Sequence, residues 1–530
     1  MIRLIKDLLF KKEKIPNEEI IGAFSFFIFF IFLAFFQVGT IWLHHLDTAF
    51  LLESLDSIKK TGFSLSSVAS AFPEAAPTFP KHADEVCKMA LNVSRIPLNV
   101  LDMHAYFILY PLSIFTFVLS SHYVVSIMNA LSFAGIIYIT FLTSRKAFLP
   151  VLPSIFFCAL VMSHPAWSHS FLGDIYADRF FLFFGILFIY LLFWRIKDPN
   201  ATGIKKFLPL FLIGLLASAV NERAAIMVSL ISIFFLVFFY KEIISKKVKF
   251  FLFLFSVLIL TFVFWYFKQR YIYHPGNTNL VDMFQAVWPT LSLQYQSKYY
   301  VLQAKEFIFI NIFLFGFFAI FNWRLGLLAF LSLLPNLYIN MGGAEKSGWG
   351  THYHSMYLPI LTFCAALGLA CLWNKFSSKY FKIGLLAALV LLIFSISSFS
   401  KAYGSRPGGF KTALSFLSQG KSSGLNQLSE SYKEISDSIP AGKSVSTTEE
   451  FMPSLYRDKT IYFYPAGINQ VDYVLLRETN ISGKKFYDGA VNYIGETQQV
   501  NECLSKRLRE TGYSIEKSFP GNAFLLRRPK

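Results

Sequence analysis

The sequence predicts an α-helical, polytopic membrane protein: about eleven transmembrane helices, interfacial helices in the first outer loop, and a small C-terminal α/β domain. Three observations predict it. Of 530 residues, 55% are hydrophobic and 15% charged, whereas soluble domains carry about a quarter charged residues. Long apolar runs recur from Ile20 to Ser398. Beyond Ser398 the composition turns polar and charged.

The first run, Ile20–Leu43, holds no charge. At about 1.5 Å per residue it can cross a hydrocarbon core of about 30 Å. Its apolar part exceeds the roughly 7–15 residues of a secretory signal, and no small-x-small site follows promptly. It reads as a retained helix. A polar stretch from His44 to Met103 follows, then two apolar runs, Ala105–Leu119 and Tyr123–Leu142.

Basic clusters decide the orientation. They lie at Arg3 to Lys14, Arg145–Lys146, Arg195–Lys206, Lys241–Lys249, Arg324 and Lys375–Lys382. Cytoplasmic loops carry the excess of Lys and Arg. If Ala105–Leu119 and Tyr123–Leu142 both crossed, every later cluster would face outside. If only the second crosses, all of them fall inside. The first run is short and is broken by Pro111, so it reads as an interfacial helix. The later spans are then 147–164, 177–194, 207–221, 224–240, 250–267, 306–321, 323–340, 355–373 and 383–398. The N-terminus is expected inside and the C-terminus outside, in a cytoplasmic membrane. Boundaries of 1–399 and 400–530 are expected for the membrane domain and the outer domain.

In that outer domain "KSVSTT", "TIYFYP" and "DYVLLR" read as strands, and "NECLSKRLRETG" as an amphipathic helix closed by Gly512. The net charge of +17 sits in short clusters between apolar segments, which argues against a nucleic-acid partner. The five cysteines lack metal-ligand spacing. Cys158, Cys364 and Cys371 read as packing residues, and Cys87 and Cys503 as the pair able to meet outside.

With this topology the unusual polar residues gather outside. Asp47 ends the first span, and Asp102 and His104 precede the interfacial helix. His164, His169, Asp174, Asp178 and Arg179 lie between two spans, and Asn221, Glu222 and Arg223 form a turn. "GGAEKSGWGTHYH" adds Lys346, Trp349, His352, Tyr353 and His354. Ionisable residues tucked between spans need partners or a function. Each also has a structural reading: His44, His45 and Asp47 as an interfacial cap, Glu222–Arg223 as a salt-bridged turn, the histidines as hydrogen-bonded core. No single motif is specific; the grouping is the signal.

The arrangement resembles the GT-C glycosyltransferases. Within that class it resembles the bacterial membrane-protein family called domain of unknown function 2079. "LDTAFLLESLDSIKKTG" is similar to that family's opening, through Asp47, Phe50 and Gly62. "DMHAYFILYPLSIF" resembles its histidine-plus-proline interfacial segment, through His104 and Pro111. "NERAAIM" stands where the family has a Lys-Glu-Asp-type turn, so only Glu222 carries over. "THYHSMYLPIL" resembles its His-Tyr entry into a late span, at His352–Tyr353 or Tyr353–His354. The stretch from "IPAGKSVSTTEEF" to "DYVLLR" is similar to its tail domain.

The GT-C resemblance implies transfer of a sugar from a polyprenyl-phosphate donor to an extracytoplasmic glycan, lipid or protein acceptor. It implies Asp47 as the base, with Arg179, Arg223 and Lys346 neutralising the departing phosphate. His352 and His354 are expected to hold the carrier. His104, Asp174, Glu222 and Tyr353 complete the candidate substrate-binding set. The sequence requires no cofactor and leaves a divalent metal open. Two other readings stay in view: a transporter or flippase of a lipid-linked or polar solute, and a non-catalytic assembly protein that binds through its tail.

Overall fold

A computed structural model describes residues 18–40, 46–70, 97–166, 175–198, 204–243, 245–273, 307–338, 353–402, 424–481, 484–487, 497–520 and 522–529. The chain forms two compact units. One comprises Met1–Phe36, Ile127–Leu172 and Ala177–Ser418; the other comprises Gln37–Ser126, Gly173–Tyr176 and Gln419–Lys530.

The first unit is helical. The expected spans appear as Val151–Met162, Phe180–Ile196, Ile204–Ser218, Glu222–Phe238, Lys246–Tyr273, Trp323–Tyr338, His354–Lys375 and Lys379–Ala402. Phe309–Gly316 is a π-helix that continues into Phe317–Ile320. Among the described residues six helices have the length and apolarity to cross a membrane. Val151–Met162, Phe207–Ser218 and Phe309–Ile320 are shorter apolar helices. This is a multi-pass membrane protein.

His354–Lys375 is the central helix, buried along nearly its whole length. It packs against Phe180–Ile196, Phe317–Ile320 and Trp323–Tyr338. Phe193, Phe235, Phe239 and Phe363 interlock edge to face around it. Gly368 permits one of these crossings, because an added Cβ would collide with the Phe318 carbonyl oxygen. Small residues let membrane helices approach this closely. The outer helices turn their large side chains outward: Phe264 and Phe394 are 65% and 66% exposed. In a bilayer that surface meets lipid, where exposure costs nothing.

The second unit joins the long segment after the first apolar helix to the tail domain. The tail holds a sheet of order β4-β3-β5-β8-β7. Here β3 is Ser444–Thr447, β4 Thr460–Phe463, β5 Tyr473–Ile481, β7 Ser514–Phe519 and β8 Ala523–Arg527. β3 runs parallel to β4 and β5, while β8 is antiparallel to β5 and β7. Lys484–Tyr487, β6, extends β5. The small pair β1 and β2, Leu65–Ser66 and Leu98–Asn99, belongs to the loop. The helices Gly424–Ser438 and Thr497–Glu510 accompany the tail's sheet. Gly512 follows the second with φ +77°, as a left-handed helix stop requires. The three expected strands and this helix are present; the expected boundaries shift by a few residues because apolar patterning does not mark caps.

Ala105–Leu119 is not one helix. It divides into Leu109–Ser113 and a 3-10 turn, Ile114–Phe117, too short to cross a bilayer. Ile114, Phe117 and Val118 are 65%, 68% and 88% exposed. Beside them Lys59 donates to the Thr116 carbonyl at 2.8 Å and lies over the Phe117 ring. An apolar edge with a cation beside it suits a membrane interface.

Glu53, on the helix Leu46–Thr61, holds loop and tail together. Its carboxylate accepts from Ser66 at 2.7 Å, from Ser67, and from the Val68 amide at 3.1 Å. The Ser67 hydroxyl accepts in turn from the Ile461 amide of β4 at 3.0 Å. Burial pushes the Glu53 carboxyl above its usual 4.5, and the serine hydrogen bonds only partly oppose this. In the same unit Lys60 donates to the Arg457 carbonyl, and Ser121 to Asp56.

Two predictions follow from this packing. Gly368→Leu should lower stability by at least about 1–3 kcal/mol through overpacking, read as a lower thermal midpoint in detergent. Gly384→Ala, inside the helix Lys379–Ala402 with nothing within 4 Å, should not lower that midpoint, because Ala favours a helix over Gly by about 0.5–1 kcal/mol. For Glu53 the sign is set by the raised pKa: above about pH 4.5 the folded state binds more protons than the unfolded state, so stability falls as pH rises. Glu53→Gln should flatten the decline of the thermal midpoint as pH rises above about 4.5. An equally steep decline in the variant would count against a buried, proton-linked Glu53.

Candidate functional site

In the membrane unit three helices bring their N-terminal ends together. The 3-10 turn Ala177–Arg179 leads into Phe180–Ile196. Asn221 caps Glu222–Phe238, accepting from the Ala224 amide at 2.7 Å. The other side of the same amide group donates to Asp178. His354 begins the central helix, with Tyr353 as its N-cap residue. The Arg223 guanidinium lies 4.3 Å from the centroid of the Tyr353 ring. Asn221 and Arg223 therefore hold the three ends to one another.

The sequence produces these ends in recognisable ways. Asn is a strong N-cap because its side-chain oxygen satisfies an otherwise orphaned backbone N–H. Charged residues stop the apolar runs just where each helix begins. Asp178, Arg179, Asn221, Glu222 and His354 are all at most 5% exposed. Arg223 interacts electrostatically with both Asp178 and Glu222, and hydrogen-bonds Tyr353. Buried charges of both signs at close quarters offset the cost of leaving water. Three converging N-termini add positive potential. The arrangement suits an anion with several oxygens, and phosphate fits that chemistry.

A second polar group lies behind it. His164 Nε2 is 3.0 Å from Asn311 Oδ1, and the His354 Nδ1 is 2.7 Å from the Tyr357 hydroxyl. Asn311 also interacts with Tyr357. Asn311 lies within the π-helix, a conformation that is rare and concentrated at functional sites. Asn311 and Tyr357 do not stand out in the sequence. A lone Asn inside "FIFINIFLFG" and the i, i+3 spacing of His354 and Tyr357 were the available signals.

In the other unit Asp47 stands part-buried in the first turn of Leu46–Thr61. One turn on, Phe50 packs edge-on against Tyr106, whose ring is 5.1 Å from that of His104. Thr48 accepts from the Ile175 amide at 2.9 Å, which fastens the residue after Asp174 to the Asp47 helix. Asp174, Lys346 and His352 themselves lie outside the described residues. The candidate residues thus fall into two groups. Arg179, Glu222, Arg223, Tyr353 and His354 belong to the membrane unit, and Asp47 and His104 to the other.

Among the described residues no cluster of three or more His, Cys, Asp or Glu could hold a metal ion. Cys158, Cys364 and Cys371 are free thiols. Cys503 is disulfide-bonded.

No curated protein matches the chain. The structure is similar to the crystal structure of ArnT from Cupriavidus metallidurans bound to undecaprenyl phosphate. The two share 11% sequence identity and a TM-score of 0.48, over 95% of this chain and 98% of that chain. A family model described as "Predicted membrane protein (DUF2079)" matches residues 71–522. The chain belongs to this family of predicted membrane proteins, DUF2079.

Proposed function

We propose that the protein is a membrane glycosyltransferase that moves a sugar from a polyprenyl-phosphate donor to an extracytoplasmic acceptor. The observation that carries this reading is the buried meeting of three helix N-termini around Arg179 and Arg223. Such a place binds phosphate, and binds it better as negative charge grows on the leaving oxygen. The apolar outer faces of the neighbouring helices can accommodate a prenyl chain.

In this reaction the bond from the sugar's anomeric carbon to the phosphate oxygen breaks, and one to the acceptor oxygen or nitrogen forms. The acceptor's proton passes to a base, and the electron pair of the broken bond leaves with the prenyl phosphate. Asp47 takes the base's role through the family resemblance. Arg179, Arg223 and Lys346 take the phosphate; Glu222 and Tyr353 hold Arg223 in place. His104, Asp174, His352 and His354 complete the binding set.

The topology that this function needs has its own support. Basic clusters follow Ser121–Lys146 and Phe180–Ile196 and precede Lys379–Ala402, the positive-inside pattern of a chain whose tail is outside. A disulfide at Cys503 suits an oxidising compartment. Reporter fusions after Lys146 and Lys206 should give cytoplasmic signals, and one after Lys530 an extracytoplasmic signal. A cytoplasmic Lys530 fusion would sink the arrangement.

Activity separates transferase from transporter. In detergent, vectorial transport is impossible while sugar transfer is not. A matching polyprenyl-phosphate sugar should release free prenyl phosphate only when an acceptor is present. Arg223→Gln should lower kcat by about 10²–10³-fold with less effect on donor binding, since the lost interaction grows in the transition state. Asp47→Asn should lower turnover about 10²–10⁴-fold while the protein stays folded and membrane-embedded. No release across a panel of such donors, with movement of one of them across reconstituted vesicles, would establish the transporter instead.

A further inference from the structure

Burial is inverted in Ile114–Leu119, the stretch just before the helix Ser121–Lys146. Thr116 is buried there, and its hydroxyl donates to the Ser113 carbonyl at 2.6 Å. Ile114, Phe115, Phe117, Val118 and Leu119 are exposed. A segment facing water would turn the threonine out and the apolar residues in. The helix Leu46–Thr61 packs beside this stretch, and Phe63, just past its end, is 59% exposed. Grouped apolar exposure of this kind marks an interaction surface.

Chain continuity indicates what covers it. Ser121–Lys146 is 26 residues long and apolar enough to cross a membrane. Leu119 stands two positions before it, hence within about 7 Å along the chain. Three cations border the apolar residues. Lys59 donates to the Thr116 carbonyl at 2.8 Å and lies 5.6 Å from the centre of the Phe117 ring. Lys60 donates to the carbonyl of Arg457, in the tail, at 3.2 Å. Arg457 Nη2 is 3.5 Å from Nδ1 of His122, in the first turn of the membrane helix. The nearby carboxylates are engaged: Asp56, which interacts electrostatically with Arg457, accepts from Ser121, and Asp458 pairs with Lys459. An ammonium has three donors, so each lysine, with one bond to a carbonyl, can also meet a phosphate oxygen. Lys59, Lys60, Phe63, Ile114–Leu119, His122 and Arg457 all belong to one compact unit.

We propose that this unit rests on the membrane surface through Phe63 and Ile114–Leu119, where Lys59, Lys60 and Arg457 bind the phosphates of anionic phospholipids. Apolar burial at the headgroup boundary and attraction to anionic lipid act together in such contacts. Lys59 and Lys60 close the helix whose first turn carries Asp47, and Arg457 belongs to the tail. The lipid surface therefore holds the Asp47 helix and the tail in one orientation to the bilayer. This docking is independent of the transferase reading.

The full chain in nanodiscs of mixed phosphatidylcholine and phosphatidylglycerol tests both parts. A benzophenone side chain placed at Val118 should cross-link to lipid on irradiation. One placed at Lys506, exposed on the tail helix Thr497–Glu510, should not. Mass spectrometry of the Val118 adducts should show phosphatidylglycerol enriched over its share of the bilayer by about fivefold or more, the effect of one cation near the surface. High salt should reduce that enrichment by screening. Lys59→Gln, Lys60→Gln and Arg457→Gln together should return it to the bilayer's own ratio. Glutamine keeps an N–H for the Thr116 and Arg457 carbonyls, and an unchanged thermal midpoint in detergent shows that the variant is folded. No lipid adducts at Val118, equal adducts at Val118 and Lys506, or adducts to protein in place of lipid overturn the docking surface. Adducts that match the bilayer ratio and ignore salt overturn the phosphate contacts, and this holds even if the triple variant fails to fold. Undiminished enrichment in a folded triple variant overturns them too.

Discussion

Charge buried among apolar helices must find partners before the helices can pack, and in the membrane unit this demand falls on Asn221. Its carbonyl oxygen closes the start of Glu222–Phe238, and its amide nitrogen holds Asp178 at the entrance to Phe180–Ile196. One side chain thereby satisfies an orphan backbone donor and a buried carboxylate. Without it Asp178, beside Arg223, would lose a buried hydrogen bond, and such a loss costs about 1–3 kcal/mol. The position of Arg223 over Tyr353, and so the junction with the central helix, depends on the same turn.

The central helix converts that local order into a fixed scaffold. His354–Lys375 is buried from its first turn to its last, and it meets its neighbours at distances only Gly368 allows. Because its path is set by close packing, the residues at its head, Tyr353 and His354, inherit a fixed location. The Tyr357 hydroxyl, 2.7 Å from His354 Nδ1, then holds the ring's orientation as well as its position.

The second unit solves a different problem. A loop that leaves a membrane helix is short of partners, and here it takes them from the tail. Glu53 gathers Ser66, Ser67 and Val68, and Ser67 accepts from the edge strand β4 at Ile461. The helix bearing Asp47 is therefore not a free loop element. Its inner face is buried at Leu51, Leu52 and Leu55, and Glu53, on the same helix as Asp47, ties it to the tail through Ser67.

Much of this was legible in one dimension. Hydropathy runs and basic clusters are local properties, so they located the helices, argued for the short interfacial segment around Pro111, and marked where the polar tail begins. The same locality exposed Asp47, Asp178, Arg179, Glu222, Arg223 and His354, because each interrupts an apolar run. What locality cannot carry is partnership. His164 and Asn311 lie 147 positions apart, and Ser67 and Ile461 394 apart. A single Asn in an apolar helix reads as a defect until its partner is known, and a two-residue "SS" reads as loop until Glu53 is seen to need it. The π-helix was hidden for a related reason: apolar residues on every face leave no periodicity from which a changed helical pitch could be read. Hydrophobic partition acts on each segment alone and writes itself into composition, whereas hydrogen bonds between distant segments exist only once the chain has closed around them.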